Sequence, residues 1–589
     1  MADTSDRLAH AVAKHQAGDL NGAEATYREI LSDNQDHADA RHLLGLILFQ
    51  RGDVPAAERD IRAAISIDPR VAMYHANLGR VLMATGNAAG AADAYREAVT
   101  LAPNDAAVHS DMAAALVAAG EFDAARARAR LALELDPGLA AAHLNLGLAL
   151  QGIGGQTAQQ AEDSFRRAAE LAPGLADAHQ ALGQIHQARG EDDHAIEYYR
   201  QAIQAQPGMV EAHCNLGNIL RKRFDLPAAI VQYDAALASD PDAAVVHANK
   251  GVALHELGRF EGALEAYDRA LSINPDDAEC QRNRAMTLLL LGRFAEGWKA
   301  YEARWGTQRF AGQKSGSDKP RWRPGKEEPG ATVLVEAEQG FGDTVQFIRY
   351  APMLAGLGVH VVLRCPAVLT RLMASAEGVT QVVDQAAALP THDLHVPLMS
   401  LPDAFETDLS TVPSEVPYLA PPDADVDAWR ASLAGLQGPL IGLAWKGSAN
   451  HPRDRIRSPG LSPLLPLLDM PGATFVSLQK DGGQKDLATH GVDTVVDVTD
   501  EISDFASTAA LIACLDVVVT CDTAVGHLAG AMGRPVVMML PHVPEWRWLL
   551  DRDDTPWYPT MRLFRQKSPG NWGELVERMR AYLTRHWGQ

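Results

Sequence analysis

The stretch "FEGALEAYDRALSINP" (260–275) is one copy of a segment that recurs along the first half of the chain. Each copy closes with a proline, and a second segment containing leucine-glycine, such as "AHCNLGNIL" (212–220), follows it. The prolines are spaced by 34 residues, with one step of 36, and stand at positions 69, 103, 137, 173, 207, 241 and 275. A fixed period of this length predicts stacked helix pairs, which bury together the apolar faces that one pair cannot bury alone. We therefore expect a helical array of about eight to nine repeats over residues 1–305.

The pattern within each repeat is similar to that of the tetratricopeptide repeat (TPR). Leucine-glycine stands in the first helix, alanines fill the second, and a proline closes the unit. The resemblance implies a superhelix with a concave groove that binds a protein partner. The glycines of the first helices, among them Gly79, Gly147 and Gly217, are expected to allow close helix contact.

An asparagine recurs two residues before the glycine of the first helix. Asparagine is a mediocre helix former, so helix propensity does not explain the repetition. Its amide both donates and accepts, and a row of amides could bind the backbone of an extended peptide. The row resembles the asparagine ladder of protein O-GlcNAc transferases; bonding between neighbouring repeats is the alternative. The predicted peptide-binding residues are Asn77, Asn145, Asn215, Asn249 and Asn283.

The composition of the 589 residues constrains the partners and the location of the protein. A net charge of −22 argues against nucleic acid or an anionic membrane surface as the main partner. Five cysteines without a CxxC pair predict reduced thiols and no zinc site. The sequence shows no secretory signal and no apolar run long enough to span a membrane, so we expect a cytoplasmic protein.

The pattern changes after Trp305. Residues 306–330 are rich in Gly, Pro and Lys and are expected to form a linker. Short apolar strands then alternate with helices, which predicts parallel sheets covered on both faces. We expect one Rossmann-like domain on the acceptor side (331–432), a second that binds a nucleotide sugar (433–570), and a C-terminal helix packing back across them (571–589).

The stretch "VVVTCDTAVGHLAGAMGRPVVMML" (517–540) predicts an anion site at the end of a buried strand. The helix that follows presents free N–H groups and a partial positive charge at its N-terminus, where a phosphate binds readily. Thr523 and Ala524 open this helix, and His527 lies one turn further on. Asp522 is the predicted acceptor for a sugar hydroxyl; simple N-capping by Asp522 is the alternative.

The stretch "EQGFGDT" (338–344) ends the first strand of the first sheet. It lacks the third glycine of a dinucleotide fingerprint and the lysine of a P-loop, so it does not predict a phosphate cradle. Together with the Asp-Thr motif it resembles the heptosyltransferase-type family of GT-B glycosyltransferases. The resemblance covers about residues 331–570 and implies that Gly342 contacts the donor while Asp343 faces the cleft. Asp343 is the predicted catalytic base, and Glu338 is the reserve.

A basic loop, "AWKGSANHPRDRIRS" (444–458), follows the first strand of the second sheet. Its cations could clamp a phosphate or a sugar carboxylate, with arginine binding bidentately, while a solvated turn is the alternative. Gln479 ends the next strand and is predicted to contact the nucleotide. The donor-binding residues expected from this loop and the next strand end are Lys446, Arg453, Arg455 and Gln479.

These features predict an inverting, metal-independent GT-B glycosyltransferase that moves a sugar from a nucleotide donor to a Ser or Thr hydroxyl of a protein. No cofactor is expected beyond the nucleotide sugar. The layout resembles flagellin-modifying glycosyltransferases; the arginines would suit a nonulosonic acid on CMP and equally a plain diphosphate. The alternatives are a heptosyltransferase-like enzyme acting on a glycan or lipopolysaccharide, and a TPR scaffold with a degenerate transferase domain.

Overall fold

The structure, a computed structural model, describes residues 2–312, 316–449, 451 and 453–588. It divides into two compact units, Met1–Pro241 and Asp242–Gln589, and each is described by itself.

The first unit is made of α-helices that pack in consecutive pairs. The helices are α1 (Ala2–Gln16), α2 (Leu20–Asp33), α3 (Ala38–Gln50), α4 (Val54–Ile67), α5 (Ala72–Ala84), α6 (Ala88–Leu101), α7 (Ala106–Ala118), α8 (Phe122–Leu135), α9 (Ala140–Ile153), α10 (Ala158–Leu171), α11 (Ala176–Ala188), α12 (Asp192–Ala205), α13 (Val210–Lys222) and α14 (Leu226–Ser239). Each pair corresponds to one 34-residue repeat, so the predicted helical solenoid is confirmed.

The repeated glycine of the first helix lies beneath an aromatic ring of the second helix. A Cβ atom added to Gly147 would stand 2.5 Å from Phe165, and one added to Gly217 would stand 2.6 Å from Tyr233. Because real Cβ atoms do not approach so closely, a larger residue at these positions would push the two helices apart. The close helix contact expected from the sequence is present.

A second repeated contact joins the start of five helix pairs to the turn before each of them. The Nε2 atom of a histidine in the first helix donates to the carbonyl oxygen of the proline six residues earlier, at 2.9–3.1 Å. A prolyl carbonyl only accepts, so the contact requires the tautomer protonated at Nε2. We call this contact the histidine clasp; its members are His75, His109, His143, His179 and His213. In the second unit, Gln281 makes the same bond to Pro275.

The second unit begins with helices that continue the repeat pattern. They are α15 (Ala244–Glu256), α16 (Phe260–Ile273), α17 (Ala278–Leu290) and α18 (Phe294–Tyr301). Their apolar side chains join the core of the sheets that follow, and Phe294 and Trp298 are buried in it. The last repeats therefore fold as part of the unit that carries the sheets.

Two parallel sheets follow in this unit. The first has the order β3-β2-β1-β4, formed by β1 (Thr332–Glu336), β2 (His360–Cys365), β3 (Val379–Asp384) and β4 (Leu394–Pro397). The second has the order β10-β9-β8-β5-β6-β7, formed by β5 (Leu440–Ala444), β6 (Thr474–Ser477), β7 (Val495–Asp497), β8 (Val517–Cys521), β9 (Val536–Leu540) and β10 (Met561–Arg565). Parallel sheets with helices are the fold class that the sequence predicted.

Helices connect the strands and cover the sheets. They are α19 (Phe341–Phe347), α20 (Ala351–Ala355), α21 (Ala367–Met373), α22 (Leu401–Ala404), α23 (Asp423–Ser432), α24 (Asp454–Arg457), α25 (Leu465–Leu468), α26 (Gly483–Thr489), α27 (Phe505–Ala513), α28 (Ala524–Ala531) and α29 (Trp572–Trp587). The buried face of α29 shares one core with β5, β8 and β9. The expected C-terminal helix thus packs on the second sheet.

The segment expected to be a linker contains ordered contacts with the first sheet. The backbone N–H of Trp322 donates to the carbonyl of His395 at 2.8 Å, and the N–H of His395 donates to Pro320 at 3.1 Å. Trp322 itself is buried. Residues 313–315 of this segment lie outside the described residues. Within the part of the chain that the structure describes, no helix is long and apolar enough to cross a membrane.

Candidate active site

Asp343 lies in the first turn of α19, immediately after the carboxyl end of β1. In parallel sheets, ligands bind at this edge because the loops between strand and helix meet there. One carboxylate oxygen of Asp343 accepts from the backbone N–H of Gly340 at 2.8 Å, which closes the first turn of the helix. The other oxygen is paired with the guanidinium of Arg547. The loop "EQGFGDT" therefore presents a fixed carboxylate at the strand edge.

Gly342 brings α19 against α28 of the second sheet. A Cβ atom at Gly342 would stand 2.8 Å from the imidazole of His527 and 3.5 Å from the Cα of Ala524. Any larger residue here would displace α19 from α28. The two motifs singled out in the sequence, nearly two hundred residues apart, therefore meet at one place.

The helix α28 begins at Ala524, with Thr523 in the N-cap position. Among the described residues no side chain caps this helix, and the Thr523 hydroxyl lies 3.0 Å from that of Thr520. N-capping by Asp522, the alternative weighed from the sequence, is not observed. Uncapped N–H groups at a helix start are suited to an anion, and the Thr523 hydroxyl can add a donor.

Asp522 and His527 lie side by side at the base of this site. The Nε2 atom of His527 is 3.7 Å from a carboxylate oxygen of Asp522, and its Nδ1 atom is 2.9 Å from the hydroxyl of Tyr558. The imidazole also stacks on Trp548, with ring centroids 5.3 Å apart. Burial, with Arg547 as the largest charged contribution, holds the pKa of His527 well below its usual range. His527 is therefore neutral at neutral pH and lines the site from within the protein.

Arg547 is the central cation of the site, and this role was not predicted from the sequence. Its guanidinium is paired with Asp343 and bonded to the side-chain oxygen of Gln346, both on α19. Its third contact is to Glu545, 2.7 Å away. The ring of Trp546 lies 4.3 Å beneath the guanidinium carbon. The position of "PEWRW" (544–548) after a strand of a parallel sheet is the signal that could have indicated this role.

Glu545 shares Arg547 with Asp343 and was also not predicted. It occupies the N-cap of the short 3-10 helix Trp546–Trp548, and its second oxygen accepts from the backbone N–H of Arg547 at 3.1 Å. Burial raises the pKa of Glu545 to about 7; Arg547 opposes this shift and the nearby charge of Asp522 adds to it. The site thus contains a carboxyl group that titrates near neutral pH.

Glu338, the predicted reserve base, has a different environment. Its two oxygens accept from Arg304 at 3.0 and 2.8 Å, and one of them also accepts from the backbone N–H of Met399 at 3.1 Å. Both partners in this ion pair are buried. This ion pair ties the 3-10 helix Glu302–Gly306, which follows α18, to the first sheet, and a role for Glu338 as the reserve base remains a prediction.

The cations of the predicted basic loop are separated from one another. Lys446 forms an ion pair of 2.6 Å with Asp486 on α26, the helix that follows the neighbouring strand β6. Arg453 donates to the carbonyl oxygen of Val543 at 3.0 Å, while Arg455 is exposed. Residues 450 and 452 of this loop lie outside the described residues. The loop lies at the carboxyl end of β5, beside the strand that leads into Thr523.

Gln479 joins the ends of two adjacent strands. Its side-chain oxygen accepts from the backbone N–H groups of Trp445 and Lys446, at 3.1 and 2.9 Å. These bonds fix the start of the basic loop against β6. Contact of Gln479 with a nucleotide remains a prediction.

The predicted peptide-binding asparagines differ in their surroundings. Asn77 is buried and contacts His42 of the preceding repeat at 2.7 Å; Asn145 is buried and donates to the backbone oxygen of Ser110 at 2.9 Å. These are the inter-repeat bonds weighed as the alternative. Asn215, Asn249 and Asn283 are half-buried. Peptide binding by the row remains a prediction.

A possible set of metal ligands lies in another part of the chain. In the described residues, His186, Glu191 and His194 bring ligand atoms within 4.8 Å of one another. His186 lies on α11 and His194 on α12 of the first unit, and Glu191 stands at the N-cap of α12. This cluster does not test whether the transfer requires a metal ion, so metal-independent transfer remains a prediction.

Comparison with known proteins separates the repeats from the stretch that contains the candidate site. Several tetratricopeptide-repeat families match, over residues 8–72, 52–106, 82–147, 176–219, 217–258 and 244–277. The description "Glycosyltransferase family 9 (heptosyltransferase)" matches residues 486–545. The chain is a tetratricopeptide-repeat protein with a heptosyltransferase-like region. The match supports a glycosyltransferase and includes Asp522, Thr523, His527 and Glu545; Asp343 and Arg547 lie outside it.

Curated relatives and solved structures are similar to parts of this chain. "Protein FlbA" of Caulobacter vibrioides is 29% identical over 299 residues, which are 45% of this chain and 50% of the relative; the match thus spans half the length of that protein. A tetratricopeptide-repeat protein from Parabacteroides merdae is 13% identical and aligns with a TM-score of 0.38 over 43% of this chain and 100% of its own. YrrB, described as a TPR protein with an unusual peptide-binding site, is 27% identical. It aligns with a TM-score of 0.27 over 32% of this chain and 96% of its own.

Proposed function

We propose that the chain is a protein O-glycosyltransferase that moves a sugar from a nucleotide-activated donor to a Ser or Thr hydroxyl. The observation that carries this proposal is the contact at Gly342, which places Asp343 of the first sheet beside the start of α28. The start of α28 lies in the stretch that matches glycosyltransferase family 9. Helical repeats precede it, and such repeats commonly offer an extended surface for a protein partner.

The phosphate of the nucleotide donor binds at the N-terminus of α28 in this proposal. The helix start supplies N–H groups and a partial positive charge, and Thr523 supplies a hydroxyl. Lys446 and the arginines of the basic loop add charge at the neighbouring strand end. These groups stabilise the negative charge that develops on the leaving phosphate, so no metal ion is required. The presence of two parallel sheets supports our proposal that the enzyme has a GT-B fold.

Asp343 is the catalytic base of the proposed reaction. The acceptor hydroxyl gives its proton to Asp343 while its oxygen bonds to the anomeric carbon. The bond from that carbon to the phosphate oxygen breaks, and the electron pair leaves with the nucleotide. One direct displacement inverts the anomeric centre. Arg547 holds the carboxylate of Asp343 in place, because the guanidinium contacts α19 at two side chains.

The acceptor in this proposal is a protein held by the repeats, and flagellin is our first candidate. The support is the layout of the chain, a repeat array joined to a transferase region, together with the half-buried asparagines 215, 249 and 283. Arg453 and Arg455 suit a nonulosonic acid donated from CMP, because arginine binds a sugar carboxylate as well as a phosphate.

The test of the proposal is the variant Asp343→Asn, which should abolish transfer while leaving the fold intact. Asparagine can still accept from Gly340, but it cannot take the acceptor's proton. The measurement is the intact mass of cellular proteins, flagellin first, in strains carrying the wild-type chain, the variant or no gene. Asp393→Asn is the matched control: Asp393 accepts from the backbone N–H of Thr332 at the amino end of β1, on the opposite edge of the same sheet.

A glycan acceptor is the second candidate, and the match to a heptosyltransferase description favours it. In that case the protein masses would be unchanged by the gene, and the mass of lipopolysaccharide or of a free glycan would shift instead. A protein mass shift that survives Asp343→Asn would remove Asp343 from the role of base.

A further inference from the structure

One guanidinium serves two carboxylates that come from different sheets. Arg547 is paired through Nη2 with Asp343 on α19, and through Nη1 with Glu545 after β9 at 2.7 Å. The Nε–H of Arg547 is already engaged by Gln346. The arginine side chain is buried, so solvent screens these interactions little. A change in the charge of one carboxylate therefore changes how strongly the other is paired with Arg547.

Several charged groups surround Arg547. Asp343, Asp522 and Glu545 are the acidic groups that act on this guanidinium, while Arg349 and Arg457 are further cations that act with Arg547 on the neutral imidazole of His527. Like charges in a poorly solvated site favour protonation of the group that is least stabilised as an anion. The pKa of Glu545, raised to about 7 chiefly by burial, identifies Glu545 as that group.

We propose that Glu545 is a positioning residue for the transfer, which sets through Arg547 how readily Asp343 takes the acceptor's proton. The inference rests on the proposed function, in which Asp343 is the base. When Glu545 is ionised, it competes for Arg547 and leaves the Asp343 carboxylate less strongly paired and more basic. When Glu545 carries a proton, Arg547 pairs with Asp343 alone and lowers its basicity.

The proton and charge balance of the step is complete without another reactant. The acceptor proton goes to Asp343, which becomes neutral, and the positive charge of Arg547 is then matched by ionised Glu545. The negative charge that Asp343 loses appears on the leaving phosphate. The site therefore keeps a paired arginine before and after the transfer.

The first experiment follows the proton on Glu545 by infrared difference spectroscopy of the full chain between about pH 5 and about pH 9. The wild type should lose a protonated-carboxyl band with a midpoint near 7, and Glu545→Gln should lack this titration. Glu574→Gln is the matched control, because Glu574 is an arginine-paired glutamate on α29, remote from the site. A band that titrates unchanged in Glu545→Gln would overturn the assignment.

The second experiment measures kcat against pH with the donor and acceptor that the mass measurements identify. The wild type should lose activity below about pH 7, as Glu545 gains its proton. Glu545→Gln should be slower by about tenfold at high pH and flat across this range, with KM unchanged, and Glu545→Asp should restore the acid limb. Glu574→Gln should follow the wild type.

The outcomes separate this inference from the proposed function. Transfer by Glu545→Gln with the wild-type rate and pH profile would overturn the positioning role and leave the proposed function standing. A wild-type chain that transfers no sugar would overturn the proposed function and the positioning role with it.

Discussion

At the scale of single residues, the site depends on how Arg547 distributes its hydrogen bonds. Each of its nitrogen atoms contacts a different side chain, and two of those side chains lie on α19 of the other sheet. A guanidinium is suited to this because its donors form a rigid planar fork. Lysine could keep the charge at this position but could not hold Asp343, Gln346 and Glu545 together.

Replacing Glu545 by glutamine should stabilise the protein, and the gain should grow as the pH rises from about 4.5 to about 7. The pKa of Glu545 is raised in the folded chain, so between these values the folded state holds a proton that the unfolded state has lost. The free energy of unfolding of the wild type therefore decreases as the pH rises across this window, and the Glu545→Gln variant does not show this decrease. Urea unfolding of the wild type and the variant at several pH values measures the difference.

The same series with Glu574→Gln serves as the control for this prediction. Because the pKa of Glu574 is lowered, chiefly by its hydrogen bond from Arg578, its contribution to stability should be present at neutral pH and lost in acid. A Glu545→Gln difference that does not change between pH 5 and pH 8 would contradict the raised pKa.

The carboxylates of the site could be predicted from the sequence, whereas their partners could not. Asp343 and Asp522 follow recognisable strands of parallel sheets, and side chains at that edge meet in space. Arg547 lies 204 residues from Asp343, and no local pattern links the two. Glu338 follows a strand as well, but Arg304, which occupies both its oxygens, comes from the end of a repeat helix.

At the scale of helices and strands, the histidine clasp repeats one hydrogen bond along the array. His109 is buried, and its Nε2 atom donates to Pro103 at 2.9 Å; the same bond of His143 to Pro137 is more exposed. Pro103 and Pro137 are both exposed, so water can replace the histidine as a donor to either carbonyl, and the two contacts differ in how deeply the histidine itself is buried. The free energy that a histidine clasp contributes to folding should therefore depend on how deeply its histidine is buried.

Replacing His109 by leucine should lower the free energy of unfolding by about 1 kcal/mol, because it removes the hydrogen bond that this buried imidazole donates to the carbonyl oxygen of Pro103. His109→Gln should cost much less, since Gln281 makes the equivalent bond to Pro275 in this same chain. His143→Leu provides the exposed comparison and should have the smaller effect. Chemical unfolding of the full chain, followed by circular dichroism, ranks the variants; equal losses for His109→Leu and His109→Gln would contradict the clasp.

The elements themselves could largely be predicted. The repeat period fixed the helix pairs, since a helix pair with one apolar face must stack on a copy of itself. The strands of both sheets are apolar runs bounded by polar residues, and the structure shows them at the predicted places, such as Thr332–Glu336 and Val517–Cys521. The start of α28 is less regular: the sequence allowed Asp522 or Thr523 as the cap, and the backbone selects Thr523.

At the scale of the whole molecule, the last repeat helices belong to the unit that carries the site. Phe294 and Trp298 of α18 pack in one aromatic cluster with Phe347, Trp546 and Trp557. The rings of Trp298 and Trp546 are perpendicular, with centroids 5.0 Å apart. Trp546 in turn lies beneath Arg547. Packing in the last repeat therefore supports the side chain that holds Asp343.

Trp298→Ala should lower the free energy of unfolding of this unit by about 3–5 kcal/mol, because it leaves a cavity in the aromatic cluster. It should also reduce transfer, since Trp546 loses its packing partner beneath Arg547. Unfolding curves and the protein mass assay test the two effects. Trp587→Ala, at the partly buried end of α29, is the comparison and should cost less and leave transfer unchanged.

The boundary between the units could not be predicted from the sequence. Helices α15 to α18 have the same repeat pattern as those before them, which favoured a boundary near residue 305, yet the compact units divide at Pro241 and Asp242. The difference arises because side chains of these helices, among them Phe260, Leu289 and Trp298, share one core with the sheet region, and contacts of this kind leave no periodic signal. The aromatic residues of "FAEGWKAYEARW" (294–305) are the one local departure from the pattern.

The division at Pro241 has a consequence for how such proteins can diversify. We expect that helix pairs before it can be gained or lost without disturbing the aromatic cluster around Trp298, whereas the last two pairs share a core with the sheets and should be retained with them. Acceptor range and catalytic chemistry would then evolve on separate segments of one gene, with the seam lying inside the repeat array instead of at its end.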